Sequence, residues 1–124
     1  MGVKVHLKVA VKSYDGYEVA LNNGEQLISR TVIWAAGVKG NPIDGLKPEN
    51  IARGNRLTVD AFNRVKGFEN IFAIGDVALM DGDPEFPKGH PQMAPPAQQQ
   101  GKLVAENIAR MISKKPVKPF TYFD

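Results

Sequence analysis

The chain has 124 residues, 43% of them apolar and 23% charged, a formal charge of +3 and no cysteine. That is one folded domain or a piece of one, without disulfides, thiolate metal sites, iron–sulfur clusters or cysteine nucleophiles. His6 and His90 stand too far apart in sequence for a local metal site, no apolar run reaches the ~18 residues of a membrane span, and so mild a basic excess predicts no nucleic-acid partner.

Val3, Val5, Leu7, Val9 and Val11 alternate with Lys4, His6, Lys8, Ala10 and Lys12. This period of two predicts a half-buried strand with a lysine-lined outer face. Such a strand following Met1, where a signal peptide would carry its apolar core, predicts a cytoplasmic chain. Asp15-Gly16 and Asn23-Gly24 are hairpin turns, with Tyr17, Val19 and Leu21 resuming the alternation between them. Residues 3–36 therefore read as an antiparallel meander. Its last segment, Thr31 to Ala36, is an unbroken apolar run that predicts a strand buried on both faces, with Trp34 in the core.

Gly40, Pro42, Gly45, Pro48 and Gly54 then make a long irregular connection, the best candidate for a domain boundary. Leu57 to Asp60 is a short strand. Ile71 to Ile74 is a second buried strand, ending in Gly75-Asp76. The prolines and glycines between residues 81 and 96 predict a loop, and His90 within it reads as solvent-facing. A helix follows from Pro96 to about Lys114, with Ala97, Gly101, Val104, Ile108 and Met111 as its apolar stripe and Pro116 as its stop. Phe120 to Asp124 has strand-like composition.

Two places could carry chemistry. Asp76 follows a buried strand, where open α/β sheets bind ligands, and its carboxylate can accept hydrogen bonds from sugar or polyol hydroxyls. A plain strand-capping turn explains the same dipeptide. The start of the last helix offers a positive dipole end beside Gln98, Gln99 and Gln100; an ordinary amphipathic helix explains that pattern too. Lys4, Lys8 and Lys12 fit a lysine-protected edge strand, or else a face that binds an anionic partner. No GxGxxG, P-loop, GxSxG or HExxH motif is present.

The order Thr31-Val32-Ile33-Trp34-Ala35-Ala36-Gly37, then Asn70 through Gly75-Asp76-Val77-Ala78, then Ala94 through Gly101, resembles the C-terminal part of a two-dinucleotide-binding-domain flavoprotein. The chain is most similar to the type II NADH dehydrogenase family, single-subunit NADH:quinone oxidoreductases. The resemblance implies an α/β fold: part of a Rossmann-like FAD/NAD(P)-binding architecture with an antiparallel β-meander, buried strands and one long helix. Residues 1–40 would end the NADH-binding domain, and 41–124 would return into the FAD-binding domain.

The implied cofactors are FAD and NADH. The implied cofactor-binding residues are Ala36, Gly37, Gly75, Asp76, Ala97 and Gln98, with no acid–base catalytic residue and no metal. The family's Ala-Gln-x-Ala-x-Gln-Gln pattern beside the quinone reads Ala94-Pro95-Pro96-Ala97-Gln98-Gln99-Gln100 here. Pro95 replaces the first glutamine and offers no side-chain donor, which leaves Gln99 on the quinone side. Both glycine-rich phosphate fingerprints would lie upstream of residue 1 and the membrane-docking segment downstream of residue 124. The expected object is a fragment, its parent peripheral on the cytoplasmic face of the membrane. It would bind either cofactor weakly alone, with the missing N-terminal part as its first partner and a strand-exchanged homodimer as another. Disulfide- or ferredoxin-type flavin reductases and a non-catalytic interaction module are the alternatives.

Overall fold

The computed structural model describes residues 2–123, which fall into two units, Met1–Ala36 and Gly37–Asp124. Turn chemistry builds the first. The Asp15 carboxylate accepts from the Tyr17 and Glu18 N–H groups at 2.8 and 2.7 Å, and Gly16 sits at φ +100. This reverses the chain between β1 (Val11–Tyr14) and β2 (Glu18–Leu21). Asn23 Oδ1 accepts from the Glu25 N–H in the next turn, which leads into β3 (Gln26–Ile28). The three strands form one antiparallel sheet in the order β1-β2-β3, with Val19 and Leu21 of the central strand buried.

Two strand expectations in this unit are corrected. The alternating run begins its ladder only at Val11, and Val3, Val5 and Leu7 are exposed. Thr31 to Ala36 forms no strand; Ile33 is 88% exposed and Trp34 65%, so the tryptophan is not a core residue. Both runs have strand composition, but a strand needs neighbours to take its hydrogen bonds and cover its apolar face. Among the described residues, neither residues 3–10 nor residues 31–36 pair into a ladder.

The second unit is organised around β5. Strands β4 (Ile51–Ala52), β5 (Arg56–Val59) and β6 (Ala78–Met80) form a sheet in the order β4-β5-β6, antiparallel on one side of β5 and parallel on the other. Leu57 stands opposite Ala78 and Val59 opposite Met80. These four, with Val65, Ala73, Phe120 and Tyr122, make the core. Between β5 and β6 the chain doubles back on itself. Asp60 Oδ1 accepts from the Phe62 and Arg64 N–H groups, and fully buried Asn63 donates through Nδ2 to the Ala73 carbonyl. Ile71 to Ile74 is consequently not the expected strand. Phe72 makes a single bridge to Arg64, Ala73 alone of the four is fully buried, and Ile74 reaches solvent.

Helix α1 spans Ala94–Ile112, starting and ending about one half-turn earlier than the spacing predicts. Lys114 takes the left-handed position at φ +54, and the Lys115 N–H returns to the Arg110 carbonyl, closing the helix before Pro116. Its buried face is Pro96, Gln100, Val104 and Asn107, whereas Ile108 and Met111 are exposed, so the apolar stripe read from the sequence is rotated. Asn107 explains the rotation. Its Nδ2 donates to the Lys118 carbonyl at 2.8 Å and its Oδ1 accepts from the Lys118 N–H at 2.9 Å, which fastens the tail to the helix. From there Phe120 and Tyr122 enter the core. Asp124, the end of the tail's strand-like run, lies outside the described residues. The α/β class holds, as a mixed sheet with one long helix.

Asn107→Ala strips two backbone groups of their partners and is expected to cost about 2 kcal/mol or more. Ile108→Ala, at a half-exposed position, should cost under about 1 kcal/mol. Urea denaturation of both variants checks the order. The reverse order would restore the helix face predicted from the spacing.

Candidate functional site

Gly75, Asp76 and Val77 form a single turn of 3-10 helix between the Ile71–Ile74 run and β6. Gly75 sits at φ +65, and a Cβ there would stand 3.1 Å from the Ala97 Cβ. Its N–H donates to Gln100 Oε1 at 2.7 Å, and Gln100 is only 2% exposed. Gly101, one turn along α1 from Ala97, lets Ile74 Cδ1 come within 3.4 Å of where its Cβ would be. Small residues on both elements therefore bring the turn against the first two turns of the helix.

The Asp76 main-chain carbonyl accepts from Gln92 Nε2 at 3.0 Å, while its carboxylate is exposed and makes no hydrogen bond among the described residues. It can take the hydroxyl or N–H donors of a ligand. Its charge also reaches Arg56. Burial pushes the Arg56 guanidinium down from the ordinary arginine value, the Asp76 carboxylate opposes that, and nearby Arg53 adds to the lowering.

The helix start differs from expectation in one chemical respect. With Ala94, Pro95 and Pro96 as its first three residues, it carries one backbone N–H there in place of three. The Ala97 N–H already points at the Met93 carbonyl, 3.4 Å away. The positive end of the dipole remains, with few donors to aim at a ligand.

The expected site residues thus come together in part. Gly75, Asp76 and Ala97 share one locus, and the Gln98 side chain is exposed one residue along the helix. Gln99 faces elsewhere: Nε2 donates to the Phe123 carbonyl at 2.7 Å and Oε1 accepts from the Phe123 N–H at 3.0 Å. Gly37 is exposed at φ +85 with open space around it; Ala36, exposed, belongs to the other unit. Arg56 escaped the sequence reading, and Gln100, read there as one of three glutamines beside the helix start, is instead buried against Gly75. The helix phase that buries Gln100 is visible only from the Pro96–Gln100–Val104 spacing, and nothing in the composition of β5 marks Arg56.

His90 is the clearest reversal. It is 3% exposed, its Nε2 lies 3.0 Å from Asp83 Oδ2, and its ring contacts those of Phe86, Phe120 and Tyr122. The loop expected to leave it in water instead folds over the core. For Asp83, burial pushes the carboxyl upward, but the Glu85 N–H and the His90 ring and charge outweigh it and hold the group below the ordinary aspartate value. Among the described residues no three potential ligands form a metal site, and no helix is long and apolar enough to cross a membrane.

Residues 1–101 match the family model described as pyridine nucleotide-disulphide oxidoreductase. Over 123 residues, 98% of this chain, the sequence is 32% identical to the type II NADH:quinone oxidoreductase of Staphylococcus saprophyticus, covering 30% of that protein. Over 101 residues, 81% of the chain, it is 37% identical to the enzyme of that name from Staphylococcus aureus, covering 24% of it. The chain thus spans less than a third of the length of these curated relatives.

Gly75→Ala places a side chain at a left-handed position and against Ala97, and is expected to cost about 1–2 kcal/mol in thermal or denaturant unfolding. Because the folded Asp83 value lies below the unfolded one, its stabilisation is complete above about pH 5 and is lost as pH falls through the folded value. The stability gap between the parent and Asp83→Asn should therefore shrink from neutral pH toward about pH 3. A gap that stays constant across a pH series of unfolding curves would contradict this.

Proposed function

Because the chain belongs to the pyridine nucleotide-disulphide oxidoreductase family, we propose that it is the flavin-facing C-terminal part of an NADH:quinone oxidoreductase. Residues 1–40 close the NADH-binding domain, and 41–124 return into the FAD-binding domain. The observation that carries this reading is the Gly75-Asp76 turn, which presents a free carboxylate beside a wall with no side chain, against the start of α1. A polyol or ring edge can approach backbone there as closely as it approaches glycine.

These residues fit a flavin. The Asp76 carboxylate accepts from ribityl hydroxyls. Gly75 and Ala97 give close approach, the Gln98 amide is free to hydrogen-bond, and Ala36 and Gly37 are further cofactor-binding residues. Bound FAD supplies the redox chemistry, accepting hydride from NADH and delivering electrons to quinone. The chain's part is position and electrostatics. The α1 dipole favours negative charge near its start, and no acid–base residue is required. Pro95 offers the quinone no donor. Gln99, on the quinone side, can reach one only when its pair of hydrogen bonds to Phe123 opens.

The parent protein is peripheral on the cytoplasmic face of the membrane and docks through a segment outside these residues; the rest of its own chain is the first partner. The isolated chain binds FAD and NADH weakly because the phosphate fingerprints of both lie elsewhere. Its unpaired apolar runs favour a homodimer by strand exchange. The family description also admits a reductase whose acceptor is a disulfide, a ferredoxin-type reductase is the other enzyme alternative, and NADH oxidation measured with quinone against a protein acceptor separates them.

In the protein carrying this chain with its upstream part, Asp76→Ala should weaken flavin binding about 10- to 100-fold, the size of a charged hydrogen bond. Flavin fluorescence titration measures it. Unchanged affinity would remove Asp76 from the site, and nanomolar FAD binding by the 124-residue chain alone would refute the divided-cofactor reading.

A further inference from the structure

The geometry points to an anion-binding site in the pocket lined by Arg53, Arg56, Lys88 and Gln92, suited to a phosphomonoester or pyrophosphate group. It uses none of the residues assigned to the flavin. The cavity, of about 370 Å³, opens between the Arg53-Gly54 turn and the Pro87–Gln92 loop, with Val38, Leu79 and Pro87 as apolar walls.

Arg56 is the reason to expect a ligand. The residue is 9% exposed, and its Nε and Nη2 donate to the Ala78 carbonyl, Nη2 also reaching the His90 carbonyl at 3.2 Å. All these partners are neutral. Among the described residues Arg56 forms no ion pair, and Nη1 takes part in none of the hydrogen bonds that hold the group. The guanidinium meets only carbonyls on its Nε and Nη2 side, where it has lost water, and no carboxylate pairs with it directly. The acid whose charge reaches it, Asp76, stands on the turn described above, and Arg53 adds a like charge.

The neighbours compound the imbalance instead of relieving it. Arg53 and Lys88 are exposed at the mouth and, among the described residues, pair with no carboxylate. The loop passes over the guanidinium at Gly89, φ +82, where a Cβ would stand 2.5 Å from Leu79 Cδ1 and 3.2 Å from Arg56 Nη1. A side chain there would be forced against both. Three cations on one opening call for more than a single negative charge. A guanidinium already oriented by three hydrogen bonds offers its remaining N–H groups to phosphate oxygens in a fixed plane, with the lysine as a mobile point charge. The cavity holds one or two phosphates and a small organic group. Free phosphates and a phospholipid headgroup share this chemistry.

The test uses the 124-residue chain, far-UV circular dichroism as the check on its fold, and two probes in parallel: inorganic pyrophosphate by titration calorimetry and phosphatidic acid vesicles by co-sedimentation. Arg53→Ala with Lys88→Ala alters two exposed side chains without buried contacts. A Lys4→Ala, Lys8→Ala, Lys12→Ala variant, with a larger loss of positive charge, controls for non-specific attraction. Saturable pyrophosphate binding, weakened at least tenfold in the rim double variant and unchanged in the control, is expected. The same pattern seen only with vesicles supports the site and assigns the headgroup as its source. Binding to neither probe, binding indifferent to the rim variant, or equal loss in the control would overturn it.

Discussion

Side-chain amides of α1 hold segments of backbone that strands hold in larger sheets, and the second unit depends on them. Gln100 takes the Gly75 N–H, Gln99 takes both polar groups of Phe123, and Asn107 takes both of Lys118. A carboxamide sets one donor beside one acceptor, as a peptide group does, so it can complete a ladder from the side of a helix. Leaving such groups unpaired in the interior costs about 1–3 kcal/mol each. Through these bonds one helix fixes both the turn that carries Asp76 and the tail that carries Phe120 and Tyr122 into the core.

The same device recurs away from the helix. Asn50 donates to the Lys66 carbonyl and Asn63 to the Ala73 carbonyl, so among the described residues four of the six buried polar ones are carboxamides that hold main chain. They satisfy backbone without bringing charge indoors. Arg56 and His90 are the other two: Arg56 ties the loop to β5 through the His90 carbonyl, and His90 closes that loop on itself through Asp83. His90 has Asp83 as its counterpart. Arg56 has carbonyls as its hydrogen-bond partners and no directly paired carboxylate, which makes it the electrostatically open position among these six.

Local chemistry was legible where it is truly local. The Asp15-Gly16 and Asn23-Gly24 turns, the end of the helix before Pro116 and the Gly75-Asp76 break follow from side chains acting on their own backbone. The site was half legible. Gly75, Asp76 and Ala97 meet, but the expected sheaf of helix amides is thinned by Pro95 and Pro96, and Gln99 is engaged by the tail. What failed were the inferences that assumed neighbours on both faces of a run. The Thr31–Ala36 and Ile71–Ile74 runs have the composition of doubly covered strands, yet composition states only that a run can be buried. The helix face was misread for a related reason: scoring apolar spacing overlooks Gln100 and Asn107, polar residues that lie inward because backbone awaits them.

The sequence by itself determined the turns, the existence and approximate length of α1, the α/β class and the kinship with pyridine nucleotide-disulphide oxidoreductases. These rest on short-range chemistry or on residue order, which one chain carries whole. Only the tertiary structure decided which face of α1 is buried, that His90 is a core residue paired with Asp83, that Ala78–Met80 completes a parallel pair with β5, and that Arg56 lies buried without a carboxylate. Each of those depends on which groups meet across tens of residues, and hydrogen-bond satisfaction and burial act on the assembled interior, not on the sequence one segment at a time.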